Sequence, residues 1–156
     1  MIIQKAELKD AKRLLEVQKI AFEKYALKYG DFDNNPYHME LDRMEFNIRY
    51  RFGQYFKVVE NEQIIGGIFG FELDGPKIIK IAQFYLLPEF QALGYGTEIL
   101  EYFIEQNKVA NTWYIDTILQ EEYNVNFYKK LNFEIIDEEV EHEGLTFVTM
   151  IKKLNR

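Results

Sequence analysis

The sequence predicts an α+β fold: a mixed, mostly antiparallel central sheet of about seven strands, with helices on both faces. Three observations carry that expectation. Short apolar runs bounded by turn residues recur at residues 2–6, 55–60, 63–73, 78–87, 112–119, 133–138 and 145–152, which is strand behaviour. Apolar residues return every three or four positions over 9–25, 41–52, 98–105 and 123–131, which is helix behaviour. The two patterns follow one another as β-α-α-β-β-β-α-β-α-β-β, with no repeat, low-complexity tract or linker, so one domain over residues 1–156 is expected.

Each element has its own signals. After the short first strand, Ala11, Leu14, Leu15, Gln18, Phe22 and Tyr25 keep helical spacing, and Asp10 in the first turn suits the helix dipole. The strongest break is residues 30–36, rich in Gly, Asp, Asn and Pro. Leu41, Met44, Ile48 and Phe52 then mark a second helix ending near Gly53. Asn61 and Glu62 turn one strand into the next as a hairpin. Gly66, Gly67 and Gly70 inside that second strand imply a bulge or a close approach to the backbone. Asp74, Gly75 and Pro76 turn the chain into the apolar strand 78–87, which Pro88 ends because it has no amide hydrogen for a ladder. In the next helix Ile99, Leu100, Phe103 and Ile104 form one face and Glu98, Glu101 and Glu105 the other. Phe127, Tyr128 and Leu131 are the inward residues of the last helix, and the acidic run 137–143 reads as a solvated turn between the final strands.

Composition excludes several function classes. No cysteine is present, so neither disulfides nor thiolate chemistry are available. The net charge of −7 without a basic run argues against nucleic acid as partner. Charge-free runs such as residues 81–88 are too short to span a membrane, and Lys5, Glu7 and Lys9 interrupt any leader-like start, so a cytoplasmic protein is expected. His38 and His142 lack metal-ligand spacing, and no metal is expected.

Chemistry concentrates at the end of strand 78–87. Gln91, Ala92, Leu93, Gly94, Tyr95, Gly96 and Thr97 join it to a helix. Two glycines one residue apart turn the backbone tightly and aim amide hydrogens at one point, where the dipole of the new helix also favours an anion. A dinucleotide fingerprint would need a glycine at residue 99, which is Ile99, and a P-loop would need Gly-Lys-Ser/Thr. Alone, Gly-x-Gly is more often a plain turn. With the strand, Pro88 and Gln91, the stretch Gln-x-x-Gly-x-Gly resembles the signature of the GCN5-related N-acetyltransferase (GNAT) family. Residues 126–133, Asn-Phe-Tyr-Lys-Lys-Leu-Asn-Phe, resemble that family's second landmark, with Asn132 at its usual glycine. The element order is similar too, so the resemblance covers nearly the whole chain and is weakest over residues 26–54.

The resemblance implies the acyl-CoA N-acyltransferase fold and transfer of an acetyl group from acetyl-CoA, as co-substrate, to a primary amine by direct attack. It implies that Gln91 to Thr97 hold the diphosphate, that the backbone of Tyr85, Leu86 and Leu87 pairs with the pantetheine arm, and that the Leu86 amide polarises the thioester carbonyl. Asn124 is implied as a further cofactor contact, and Tyr128 as general acid to the departing thiolate. A homodimer is a weaker implication.

Three departures stand out. Leu93 replaces a residue that is often basic, and Glu121 a frequent asparagine. Where relatives carry a Glu or His base, this chain has Lys80 and Ala82, leaving Glu72, Asp116, Glu121 or a water chain as substitutes, and Lys80 as an exposed strand residue. A non-catalytic acyl-CoA-binding module is the rival reading. The amine substrate, small molecule or peptide, is expected over residues 26–54, with Tyr25, Tyr29, Phe32, Tyr37 and Phe46 lining its cleft. Gln83 is either a cleft polar group or a satisfied core amide, and the run 137–143 is alternatively an acidic lip for a cationic substrate.

Overall fold

The computed structural model describes residues 1–30 and 35–156. The strands are β1 (Ile2–Lys5), β2 (Gly53–Glu60), β3 (Gln63–Glu72), β4 (Ile78–Leu86), β5 (Thr112–Ile118), β6 (Glu134–His142) and β7 (Leu145–Lys153). The helices are α1 (Ala11–Tyr29), α2 (Leu41–Arg49), α3 (Tyr95–Gln106) and α4 (Glu122–Lys130). One seven-stranded sheet runs in the order β1-β2-β3-β4-β5-β7-β6. Only β4 and β5 pair in parallel, because α3 carries the chain back between them. The α+β expectation and its element order are met.

Ring contacts assign the faces. Tyr85 on β4 meets Phe22 of α1, whereas its neighbour Phe84 meets Phe127 of α4. Consecutive strand residues point to opposite sides, so α1 lies on one face and α4 on the other. Phe56 of β2 packs on Tyr102 and Phe103 of α3, which joins α4. Phe103, Leu100 and Ile99 are fully buried there, and so is Trp113, which pairs in register with Ile79. Among the described residues no helix is long and apolar enough to cross a membrane.

Two boundaries differ from the sequence reading. The second helix stops at Arg49, because Tyr50 turns extended and Phe52 hands its carbonyl to the Glu72 amide. Phe52 is thus half-exposed and not a helix-face residue. The acidic run is not a turn: β6 continues through His142, and only Glu143 and Gly144 turn the chain. As an edge strand exposed along nearly its whole length, β6 has no apolar face to announce it, and its charges discourage pairing with another chain.

The glycines of β3 mark both a bulge and close contacts. Pairing steps from Phe69↔Gln83 to Gly70↔Ile81, leaving Ala82 unmatched. The extra residue reverses the alternation of β4. Ile79 and Ile81 therefore share the α3 face with Phe84 and Leu86, while Lys80, Gln83 and Tyr85 face the α1 side. Gly67 makes room for Tyr85, whose hydroxyl pairs with that of Tyr55 in the core; burial pushes both phenols upward. A Cβ on Gly66 would sit 2.4 Å from the Tyr85 carbonyl oxygen and 2.8 Å from a Leu86 methyl. The obstacle is backbone and cannot rotate away. Gly66→Ala is expected to destabilise the protein by about 1–3 kcal/mol, read as a lower urea midpoint.

Candidate active site

The site begins where two strands part. β4 and β5 pair only from Ile78↔Thr112 to Ile81↔Ile115, although β4 runs on to Leu86. The Leu87 amide donates to the Ile65 carbonyl at 2.8 Å, on the β3 side. Amides alternate between the two edges of an extended strand, so those of Leu86 and Phe84 point into the open fork and that of Tyr85 points to β3. The Leu86 carbonyl, on the fork side, accepts from Gln91 Nε2 at 3.0 Å. Around this fork lies a cleft of about 620 Å³, walled by Phe22 and Tyr25, Phe84 to Leu86, the loop at Gln91, Ala92 and Gly94, and Asn124, Phe127 and Tyr128.

At the end of β4 the chain makes a 3₁₀ turn over Pro88–Phe90 and enters the loop. Its left-handed residues are Ala92 (φ 60°) and Gly94 (φ 84°), the latter capping α3. Gly96 is needed for another reason: a Cβ there would lie 3.1 Å from the Phe127 ring. The first helical hydrogen bond runs from Glu98 N–H to the Gly94 carbonyl. Among the described residues no acceptor meets the amides of residues 92–97. Such a concentration of unpaired donors at a helix N-terminus is an anion site. No Lys or Arg occurs between Lys80 and Lys108, so these donors are backbone alone. A cation reaches the loop from the facing wall: Lys24 of α1 has its Nζ 3.4 Å from Gln91 Oε1.

Tyr128 sits on the buried face of α4, against the rings of Phe127 and Phe133 at 5.1 and 5.6 Å. Its hydroxyl has no hydrogen-bond partner among the described residues, and burial, with the Tyr25 phenol adding to it, raises its proton affinity. Asn132 adopts φ 70° just past the helix, and Phe133 N–H returns to the Tyr128 carbonyl at 3.0 Å, which fixes the tyrosine at the end of a closed turn. Asn124 lines the cleft and donates to Tyr25 Oη at 3.1 Å.

Other sequence-stated residues fall elsewhere. Leu87 is core, Leu93 is 59% exposed, Tyr95 stacks on Phe90 and bonds Glu60, and Thr97 does not line the cleft. Of the aromatic residues expected over the substrate, Tyr25 lines the cleft and Phe32 lies outside the described residues. Tyr37 packs edge-on to His38, Phe46 stacks on Tyr50, and Tyr29 is drawn off to Glu121. Glu72 pairs with Ile79 and so is on the opposite sheet face. Among the described residues the buried Oε1 of Gln83 has no partner, so Gln83 is not a satisfied core amide there. Lys80 is not an exposed strand residue: it lines the cleft, with its side chain 22% exposed and Nζ 2.7 Å from Asp116 Oδ2. Sequence spacing could not give that pair, which needs the register between two strands. Each ring nitrogen of His142 lies 2.9 Å from a backbone carbonyl, that of Glu143 or of Tyr29. No His, Cys, Asp and Glu cluster suited to a metal occurs among the described residues.

Residues 35–154 match the family model described as the acetyltransferase (GNAT) domain. The chain belongs to the GNAT family and is an acetyltransferase with acetyl-CoA as its acyl donor. No curated protein matches it in sequence. Among solved structures it resembles the ribosomal-protein-S18-alanine N-acetyltransferase of Escherichia coli, at 12% identity and TM-score 0.81, over 99% of this chain and 94% of that one. It also resembles aminoglycoside 6'-acetyltransferase type Ii, at 18% identity and TM-score 0.77, over 100% and 99%. A third is the PaiA N-acetyltransferase of Thermoplasma acidophilum in complex with coenzyme A, at 18% and 0.72, over 98% of each chain.

Glu121, the residue before α4, accepts from Lys28 Nζ at 2.7 Å and from the Tyr29 hydroxyl, tying α4 to the end of α1. Desolvation raises its proton affinity, but the two donors outweigh that and hold the carboxyl below its usual range. A lowered folded value means stability that is complete above the ordinary carboxylate range and lost as pH falls through the folded value. Glu121→Gln is therefore expected to cost up to about 1 kcal/mol at pH 7 and a smaller amount at pH 3. Urea midpoints at both pH values check this; an equal deficit at both would disprove the latch.

Proposed function

We propose that this chain moves the acetyl group of acetyl-CoA to a primary amine by direct attack, on one domain spanning residues 1–156. The observation that carries the reading is the open edge of β4. It presents the amides of Phe84 and Leu86 to the cleft, beside the acceptor-free amides of residues 92–97 and the Tyr128 hydroxyl. Those features fit acetyl-CoA, which brings an activated acetyl thioester. Backbone amides at residues 92–97 bind its diphosphate, helped by the α3 dipole. The strand edge at Phe84 to Leu86 takes the pantetheine arm as an added strand would, and one of its outward amides donates to the carbonyl oxygen as charge develops there. Tyr128 gives its proton to the departing sulfur; burial keeps the phenol protonated at neutral pH. Asn124 steadies Tyr25 at the mouth of the same cleft. That two structural neighbours are named for an amine of a protein and of an aminoglycoside supports an amine acceptor.

Two experiments test the reading. Acetyl-CoA at 100 times its dissociation constant should stabilise the wild type by about 2.7 kcal/mol. At this length that raises the melting temperature by roughly 5–10 °C. Gly94→Glu, which puts a side chain on a left-handed residue and a negative charge before the free amides, should abolish the shift. A shift that survives the substitution would place the diphosphate elsewhere. Tyr128→Phe should lower kcat by about 100-fold or more with little change in acetyl-CoA affinity. Unchanged turnover would remove the general-acid role.

A further inference from the structure

The loop before α3 offers peptide dipoles and no cation of its own, since no Lys or Arg occurs between Lys80 and Lys108. The α3 dipole supplies about half a positive charge at the amides of residues 92–97. A diphosphate brings more negative charge than that, and the chain's net charge of −7 repels it from a distance. The charged side chains lining the cleft do not correct the balance. They are Lys80, Asp116, Glu139 and Glu141, and Lys80 is already paired with Asp116 at 2.7 Å.

A positive charge does arrive from across the cleft. Lys24 Nζ on α1 lies 3.4 Å from Gln91 Oε1, while Gln91 Nε2 donates to the Leu86 carbonyl at 3.0 Å. One amide side chain thus links the ammonium to the strand edge, and Lys24 stands at the mouth of the fork, where β4 gives way to the loop. The ammonium is also 4.9 Å from the ring centroid of Tyr25, a cleft residue. Among the described residues no carboxylate forms an ion pair with Lys24. Glu121 feels its charge, but Lys28 and Tyr29 hold that carboxylate. A neutral amide and a ring are weak partners for an ammonium with three donors.

We propose that Lys24 is the cation that completes the diphosphate cradle of acetyl-CoA, supplied by α1 because the loop has none. This rests on the reading that residues 92–97 hold the diphosphate. On binding, the ammonium exchanges the Gln91 oxygen for a phosphate oxygen, a charge-assisted bond stronger than the one it replaces. Gln91 keeps its hold on the Leu86 carbonyl, so the strand edge that takes the pantetheine arm is unaltered. Other lysines near the cleft are engaged or face elsewhere. Lys28 is fixed on Glu121, Lys80 on Asp116, and Lys129 and Lys130 do not line the cleft.

The test compares binding of acetyl-CoA with that of S-acetylpantetheine, which has the same thioester and arm but no phosphate. Lys24 is exposed, so Lys24→Met should melt within about 2 °C of the wild type when no ligand is added. It should weaken acetyl-CoA binding about 10-fold at an ionic strength of about 0.01 M, and far less at about 1 M, where ion pairs are screened. Its affinity for S-acetylpantetheine should equal that of the wild type. Lys24→Arg keeps the charge and should hold acetyl-CoA within about threefold of the wild type. Three results overturn the assignment alone: Lys24→Met binds acetyl-CoA as the wild type does, or loses S-acetylpantetheine equally, or is no weaker than Lys24→Arg. If Gly94→Glu leaves acetyl-CoA binding intact, the diphosphate lies elsewhere and that reading falls together with the assignment.

Discussion

A strand edge without a neighbour is the constraint on which this structure turns. Buried amides need acceptors, and a sheet normally supplies them. Here β4 is paired on both sides only as far as Ile81, and beyond it the fork leaves outward amides with water or a ligand as partners. The bulge at Ala82 falls at the same level. It keeps Ile79, Ile81, Phe84 and Leu86 on the apolar face despite the uneven spacing, so β4 parts from β5 without bringing a polar side chain into the core beneath α3. Divergence and packing are solved by one extra residue.

Electrostatics around the fork follow from what the loop lacks. With no cation between Lys80 and Lys108, the anion site depends on peptide dipoles held in place by Gly94 and by Ala92 in a conformation that disfavours a side chain. A left-handed alanine costs on the order of 1 kcal/mol, which surrounding structure must hold. Gln91 contributes by clamping the Leu86 carbonyl, and α1 faces the loop with Lys24. The α1 helix therefore forms one wall of the cleft, while Glu121 fastens its end to α4 on the other.

Much of this was legible in the sequence because it depends on short-range chemistry. Pro88, the Gly-x-Gly spacing and the amphipathic pattern of α3 each act within a few residues, and the strand–loop–helix unit they predict is present. Asn132 likewise took the left-handed turn that its place after a helix suggested. What escaped was set by register. Lys80 read as an exposed residue because its partner lies 36 positions on, across a parallel pairing that no local signal specifies. The acidic end of β6 read as a turn because an edge strand exposed on both faces has no alternation to display. Tyr37 and Phe46 were apolar residues in the right segment, but they pack on His38 and Tyr50 and do not face the cleft.

Trp113 is the one tryptophan of the chain, fully buried on β5 beside Ile79, with the Arg156 guanidinium 5.4 Å from its ring. Among the described residues its indole nitrogen has no acceptor. It lies two register steps from the last pair before the strands part, on the face opposite Lys80 and Asp116. The molecule thus contains a single indole chromophore at the root of its own fork. Blue-shifted emission reports a closed, dry root, and any opening of β4 from β5 that admits water there moves the emission to longer wavelength.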